Sequence, residues 1–375
     1  MIILHAAPVT WRSPNGVTPA VQGLVAAQNA LPGCRAGLLI TSRDAGALPP
    51  LEFPVFQVGE RRGLSRARPA DDLPEPFRRP DLVVFHSTFV PLHAVLAARR
   101  RALGVPYLVC PHGGMTAEAL RQKAWKKRLG RLWFFDELIR HAAAIQYSTH
   151  REREKSGDWG RPVIIAGNGV HPPAENQIAR PGLRPARRFL FLGRLHIQHK
   201  GLDLLLEACR KVKEHLLRRG VEVVLVGPDV NGSRRFLENR IRAMDLGMLV
   251  RLRDAAVGDE KRRWFQSADL FVHPSRTEGQ PAAVLEAMSF GLPVLVTPGT
   301  NVAEEVVTEG AGWETSCDPN ELARDLRNLA ELPGSALARA GCAARNWVLR
   351  ELTWDRAAAR TVSKYQRVLQ LARAA

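Results

Sequence analysis

Two stretches carry the residues best suited to chemistry. In Phe191-Leu192-Gly193-Arg194-Leu195, with Lys200-Gly201 five positions further on, an apolar run ends in a glycine and two cations precede a helical pattern. A glycine at a strand end lets backbone approach a ligand closely, and an arginine with a lysine ahead of a helix start suits a diphosphate. The stretch is neither a Walker loop nor a G-x-G-x-x-G fingerprint, and alone it equally fits a solvated loop in an arginine-rich chain. The second stretch runs from His273-Pro274-Ser275-Arg276-Thr277-Glu278-Gly279-Gln280-Pro281 to Glu286-Ala287-Met288. Pro281 falls where a helix's first turn tolerates it, placing Glu278 just before the helix and Glu286 on its second turn. Two carboxylates there can accept hydrogen bonds from sugar hydroxyls, and the free N–H groups of the helix start favour an anion. Val284, Leu285, Ala287 and Met288 surround Glu286 in sequence, which predicts a largely buried carboxylate in need of partners.

Two weaker candidates lie earlier. Pro111-His112-Gly113-Gly114 follows an apolar run, putting a histidine beside flexible glycines, although a lone histidine is more often structural. Asn15-Gly16 could bring backbone N–H groups to a ligand or be a plain turn.

The elements that must position these residues alternate between short apolar runs and amphipathic stretches, the pattern of β-α units building parallel sheets. Strands are expected at 2–7, 37–41, 55–58, 82–86, 107–110, 144–148 and 163–166, with helices at 17–30, 90–103 and 115–140. The stretch 171–187 contains four prolines and loses the periodic pattern, as an interdomain linker would. Beyond it strands are expected at 189–192, 221–226, 249–252, 270–273 and 294–297, with helices between them at 202–219, 234–246, 260–267 and 282–290. From residue 319 only helices are expected. Two doubly wound domains follow, 1–175 and 176–355, with a helix at 356–375 that could pack back on the first. Ligands in such sheets bind at strand carboxyl ends, so the motifs should sit around one cleft.

Together, Gly193-Arg194-Leu195 with Lys200-Gly201, Glu278-x7-Glu286, and Gly291-x-Pro293-Val294 resemble the retaining glycosyltransferases of family 4. The resemblance covers most of the chain and is stronger in its second half. It implies an α/β fold of GT-B type, with two Rossmann-like domains facing a central cleft and a helical C-terminal tail. It also implies a nucleoside-diphosphate sugar donor of UDP or GDP type, a saccharide or lipid-linked saccharide acceptor, and no required metal or other cofactor. By the same resemblance Arg194 and Lys200 attend the donor diphosphate, Glu286 the ribose hydroxyls, Glu278 and His112 the transferred sugar, and Gly16 the diphosphate loop. Gly279 and Gln280 lie at the donor, and Asn301 is expected to face the same cleft. Gln280 stands where the family commonly has an aromatic residue, and Asp254 where it often has glycine near the base.

Charge adds a further question. The 375 residues carry 54 basic and 37 acidic side chains, a net +17, divided as +10 in residues 1–180 and +7 in residues 181–375. Nucleic acid, anionic lipid and phosphate ligands are all compatible with that excess. No helix-turn-helix, zinc-finger or RNP pattern is visible, so no nucleic-acid partner is expected. Residues 99–131 hold nine basic residues and one acid, and Trp125, Leu129, Leu132 and Trp133 add an apolar side. Such a segment, 99–135, could lie on an anionic membrane or simply pack on its own domain. The five cysteines are far apart, with no C-x-x-C pair, and no export or membrane-spanning segment is visible. A cytoplasmic protein is expected, peripheral on the inner face of the membrane if the basic segment binds lipid. A nucleotide-sugar epimerase of similar architecture is the nearest competing reading.

Overall fold

The computed structural model describes residues 1–11, 16–42, 45–46, 50–58, 73–121, 124–182 and 186–374. Asn15, Lys123 and Pro185 lie outside the described residues, as does the side chain of Lys126. The chain forms two compact units, Met1–Gly169 with Trp354–Ala375, and Val170–Thr353.

In the first unit the strands are β1 (Ile2–Ala7), β2 (Arg35–Ile40), β3 (Val55–Gln57), β4 (Leu82–His86), β5 (Tyr107–Cys110), β6 (Ala144–Tyr147) and β7 (Val163–Ile165). They form one parallel sheet in the order β3-β2-β1-β4-β5-β6-β7. In the second unit β8 (Arg187–Leu192), β9 (Val221–Val226), β10 (Val250–Arg253), β11 (Leu270–His273), β12 (Val294–Val296) and β13 (Gly312–Glu314) form a parallel sheet in the order β10-β9-β8-β11-β12-β13. Both orders reverse direction beside the unit's first strand. Such a reversal opens a crevice at the strand carboxyl ends, here after β1 and β4 and again after β8 and β11.

The strands are nearly continuous in apolar residues because helices cover both faces of each sheet. Phe189, Phe191, Val223 and Leu225 face one side of the second sheet, and Leu190, Leu192, Val224 and Val226 the other. The C-terminal helix Trp354–Ala374 belongs to the first unit. Its Tyr365, Val368 and Leu369 enter the core beside Val21 and Leu38, and the Tyr365 hydroxyl donates to Gln146 at 2.6 Å.

Three expectations need correction. The helix expected at 115–140 is divided into Ala117–Arg121, Ala124–Gly130, a wide π-turn at Arg131–Phe135, and Asp136–Arg140. Four consecutive apolar residues, Leu132 to Phe135, cannot all face inward at 3.6 residues per turn. The wide turn buries Phe135 against Phe89 at 4.3 Å between ring centroids and leaves Leu132 and Trp133 outside. Second, residues 173–182 of the proline-rich stretch are bonded into the second unit. Gly182 N–H donates to Asp269 at 2.7 Å, Ala179 N–H to the Phe290 carbonyl at 2.7 Å, and Arg345 to the Pro173 carbonyl and Glu175. Proline removes helical periodicity without removing tertiary contacts. Third, strand β13 and the helix Ala303–Thr308 were not expected, since three strand residues and six helical ones are too short to show a period.

Candidate functional site

In the second unit, β8 ends and the chain turns through Gly193 and Arg194 into the short helix Ile197–Lys200. Gly201 follows with φ 63°, and a Cβ there would meet the Pro274 carbonyl oxygen at 2.0 Å. The glycine therefore lets the chain leave one helix, start the next (Leu202–Lys211), and pass directly against the end of β11. Arg276 pins the same two segments together. Its guanidinium donates to both carboxylate oxygens of Asp203 at 2.8 Å, and to the Gln198 carbonyl at 3.2 Å.

Lys200 and Glu278 are thereby brought together. The Lys200 ammonium donates to Glu278 Oε1, the same oxygen accepts from the Ser275 hydroxyl at 2.8 Å, and His273 Nε2 lies 3.1 Å from it. The two charged side chains retain only 13% and 15% of their exposure. Burial opposes ionisation of Glu278, but the Lys200 charge and the His273 hydrogen bond prevail and hold its carboxyl well below the usual carboxylate range. Burial and the neighbouring Lys200 push the His273 imidazole down, so it is neutral, and Nε2–H donates to the carboxylate. His273 is fixed by stacking between Phe191 and Phe271, with centroids 5.4 and 5.7 Å away. Arg194, in contrast, is exposed and makes no side-chain hydrogen bond or ion pair among the described residues.

Two assignments made from the sequence change. Glu286 is not buried: helix Ala282–Ser289 turns it to the half-exposed side, 31% accessible, where Lys261 lies 2.5 Å from its carboxylate. The apolar neighbours Val284, Leu285, Ala287 and Met288 face the core instead. Asn301 turns its amide nitrogen inward. It is buried, and its Nδ2 donates to the carbonyls of Glu278 at 2.5 Å and Gly279 at 3.1 Å. It holds the Glu278-Gly279 turn. Gly279 and Gln280 are half-buried just before the helix Ala282–Ser289, whose N-terminus no side chain caps. Asp254 is exposed and paired with Arg234 at 2.9 Å. Sequence reasoning named His273, Ser275 and Arg276 within the motif but gave them no task; a strand-end histidine three positions from an arginine was the available signal.

In the first unit, His112 follows β5 in a left-handed turn, φ 48°, with Gly113 at φ 81°. Glu152, itself buried, accepts from the N–H groups of Gly113 at 2.5 Å and Ser148 at 2.8 Å and so anchors that turn. Burial raises the Glu152 carboxyl, partly offset by those two bonds. His112 Nε2 lies 2.9 Å from His86 Nδ1 at the end of β4, and His86 Nε2 lies 2.8 Å from His5 Nδ1 in β1. Gly16 is exposed at the start of helix Val17–Asn29, with φ −62° and open space around it, so nothing local demands a glycine. Among the described residues, His86, Cys110 and His112 alone bring ligand atoms within 4.8 Å of one another. The two imidazole nitrogens are hydrogen-bonded to each other and burial pushes the Cys110 thiol well up, so the trio suits hydrogen bonding better than a cation.

Comparison with known proteins decides the family. Residues 186–331 match the model for glycosyl transferases group 1, and residues 15–169 the glycosyl transferase 4-like domain. The chain belongs to the group 1 glycosyltransferases. This glycosyltransferase is 32% identical over 158 residues to the amylovoran biosynthesis glycosyltransferase AmsK of Erwinia amylovora, a match covering 40% of this chain and 37% of that one. It is 26% identical over 319 residues to the GDP-mannose:cellobiosyl-diphosphopolyprenol alpha-mannosyltransferase of Xanthomonas campestris, covering 82% and 80%. Anabaena HepE in complex with UDP and glucose superposes with a TM-score of 0.76 at 17% identity, over 98% of this chain and 100% of that one. Its likeness shows the fold, which is of GT-B type. Both of the sequence relatives are transferases by name.

Proposed function

We propose that the protein transfers a glycosyl group from a nucleoside-diphosphate sugar, UDP or GDP linked, to a hydroxyl of a saccharide or lipid-linked saccharide, with retention at the anomeric carbon. The observation that carries this is the set of groups at the carboxyl ends of β8 and β11. Arg194, without a side-chain partner among the described residues, an ion-paired Lys200 and Glu278, and an uncapped helix N-terminus lie around one strand-end crevice. Cations and backbone N–H groups there stabilise charge that grows on the departing diphosphate, the task a divalent cation performs in other transferases. Glu278, already holding Lys200, His273 and Ser275, is poorly placed as a covalent nucleophile. A same-face departure in which the leaving phosphate helps deprotonate the acceptor suits the site better. Glu286 would take the ribose hydroxyls, exchanging Lys261 for them, and His112 a hydroxyl of the transferred sugar. Incubation with UDP- and GDP-sugars and an oligosaccharide or polyprenyl-diphosphate saccharide, followed by NMR of the product's anomeric centre, tests this. An inverted product overturns retention, and interconversion of the free donor without transfer overturns the whole reading.

The names of the relatives favour cell-surface polysaccharide assembly. Residues 99–135 are the proposed contact with an anionic membrane on its cytoplasmic side. Leu132 and Trp133 remain 80% and 79% exposed, Arg128 and Arg131 lie beside them, and Phe89, Val95, Leu129 and Trp133 line an apolar groove of about 830 Å³. No described helix is long and apolar enough to cross a membrane. Leu132→Asp with Trp133→Asp should abolish co-sedimentation with anionic liposomes. Equal binding of the parent to neutral liposomes would argue against the electrostatic part.

A further inference from the structure

The histidine chain of the first unit continues past His5, and its far end bears on what His112 can do. His5 Nε2 lies 2.8 Å from the Oε1 of Gln28, a fully buried residue of helix Val17–Asn29. Four side chains, from the helix Val17–Asn29, β1, β4 and the turn after β5, thus form one hydrogen-bonded line: Gln28, His5, His86 and His112. Neighbouring imidazoles also stack, each pair with centroids 5.1 Å apart.

A carbonyl oxygen only accepts, so His5 Nε2 must carry the hydrogen it gives to Gln28. Burial lowers His5 and His112 to about 4 and, with the neighbouring histidines, pushes His86 well below its ordinary value, so near pH 7 each ring is neutral and carries one hydrogen. With its hydrogen on Nε2, His5 has a bare Nδ1, which must accept from His86 Nε2–H. His86 Nδ1 is then bare and accepts from His112 Nε2–H. The end of the line is forced: His112 Nδ1 carries a lone pair and no hydrogen. It has no protein partner among the described residues, and His112 is the most exposed of the three rings.

We propose that Gln28, acting through His5 and His86, fixes the tautomer of His112, so that its Nδ1 accepts a hydrogen bond from a substrate hydroxyl. Gln28, His5 and His86 are positioning residues, and none of them touches substrate. The inference rests on the reading that His112 contacts the transferred sugar, and it deepens that reading by giving the contact a direction: the substrate donates and the enzyme accepts. Reversing the amide of Gln28 would reverse every bond in the line and turn His112 Nδ1 into a donor, so the line's polarity is a selectable property of the site.

Two measurements test it. In protein labelled with nitrogen-15 histidine, nitrogen spectra at pH 7 should show His5, His86 and His112 all as Nε2–H tautomers. A hydrogen on His112 Nδ1 overturns the proposal without reference to activity. In kinetics, Gln28→Met removes the accepting oxygen at similar volume and should lower kcat/KM about tenfold. The same change in a His112→Ala background should alter kcat/KM less than about twofold, because the ring whose tautomer it sets is gone. An equal loss in both backgrounds would mean that Gln28 acts only through packing, and overturns the relay. Should His112→Ala alone leave kcat/KM unchanged, the substrate contact of His112 fails, while the nitrogen spectra still decide the tautomers.

Discussion

Arg194 and Lys200 share a sign and a proposed ligand, yet the structure separates them sharply. Arg194 is exposed and without a side-chain partner among the described residues, whereas the Lys200 ammonium sits on Glu278 with both groups largely buried. Truncating Arg194 therefore removes nothing that the ligand-free fold uses. Arg194→Ala should leave the melting temperature within about 2 °C of the parent while lowering kcat by about 10²–10³, the loss typical of removing one preorganised donor from developing charge. Lys200→Met should do both kinds of damage. Breaking a buried pair costs about 3–5 kcal/mol, and here Glu278 keeps the Ser275 hydroxyl and His273, so about 2–3 kcal/mol is expected. For a unit of this size that lowers the melting temperature by about 5–10 °C. Adding Glu278→Gln to Lys200→Met should restore part of the lost stability, because the stranded carboxylate is then neutral, but none of the turnover. Scanning calorimetry with steady-state kinetics on the four proteins measures every term. A melting temperature for Arg194→Ala as low as that of Lys200→Met would refute the reasoning, as would near-normal turnover by Arg194→Ala.

Acid should destabilise the protein well above the range where carboxylates titrate. His5 and His93 are fully buried and held at about 4 and about 3, against 6.5 when unfolded, so their neutral forms favour the fold above pH 6.5 and that advantage is lost as pH falls toward 4. At pH 5 each accounts for about 2 kcal/mol, about 4 together, and urea titrations at pH 7 and pH 5 giving equal stabilities would contradict this. Glu286→Gln should weaken nucleotide binding several-fold by calorimetry while leaving thermal stability nearly unchanged, since a half-exposed pair with Lys261 is worth under about 1 kcal/mol. Gly334→Ala should lower stability by about 1–3 kcal/mol, because the added Cβ would come within 2.4 Å of the Gly182 carbonyl oxygen. An unchanged melting curve would show that residues near 182 are not tied to the second unit.

The strands were the most legible part of the sequence. β1, β4, β5, β9 and β11 fall at the residues their apolar runs marked, because a strand buried on both faces leaves an uninterrupted hydrophobic signature. Sequence failed where tertiary contacts decide local form, as in the divided helix around Arg131 and in the strapping of residues 171–182 by Asp269 and Arg345. In the site, residue types at strand ends marked Arg194, Lys200, Glu278 and His112. Which of them touch one another was not legible. The Lys200–Glu278 pair joins residues 78 positions apart, and the line from Gln28 to His112 crosses a helix, two strands and a turn. Asn301 shows the same gap from the other side: its position beside the motif was readable, its inward aim was not.

The net charge of +17 takes on a different meaning once the arginines are placed. Arg187 donates to the carbonyls of Leu329 and Ala330 at 3.0 and 2.9 Å, at the end of helix Pro319–Glu331. Arg345 donates to the Ser289 carbonyl at 2.5 Å, the last residue of helix Ala282–Ser289, and Arg276 to the carbonyls beside Lys200. Each cation satisfies carbonyls that a helix end leaves unpaired and lies at the negative end of the helix dipole. Helix Ala282–Ser289 is thus neutralised by arginine at its C-terminus and left uncapped at its N-terminus, where the sugar donor is proposed to bind. These three arginines are thus occupied within the fold and do not await an anionic partner. Arg194 stands apart because, unlike Arg187, Arg276 and Arg345, it caps nothing and pairs with nothing among the described residues. Placed directly after the glycine that follows β8, it is the cation proposed to meet the donor diphosphate.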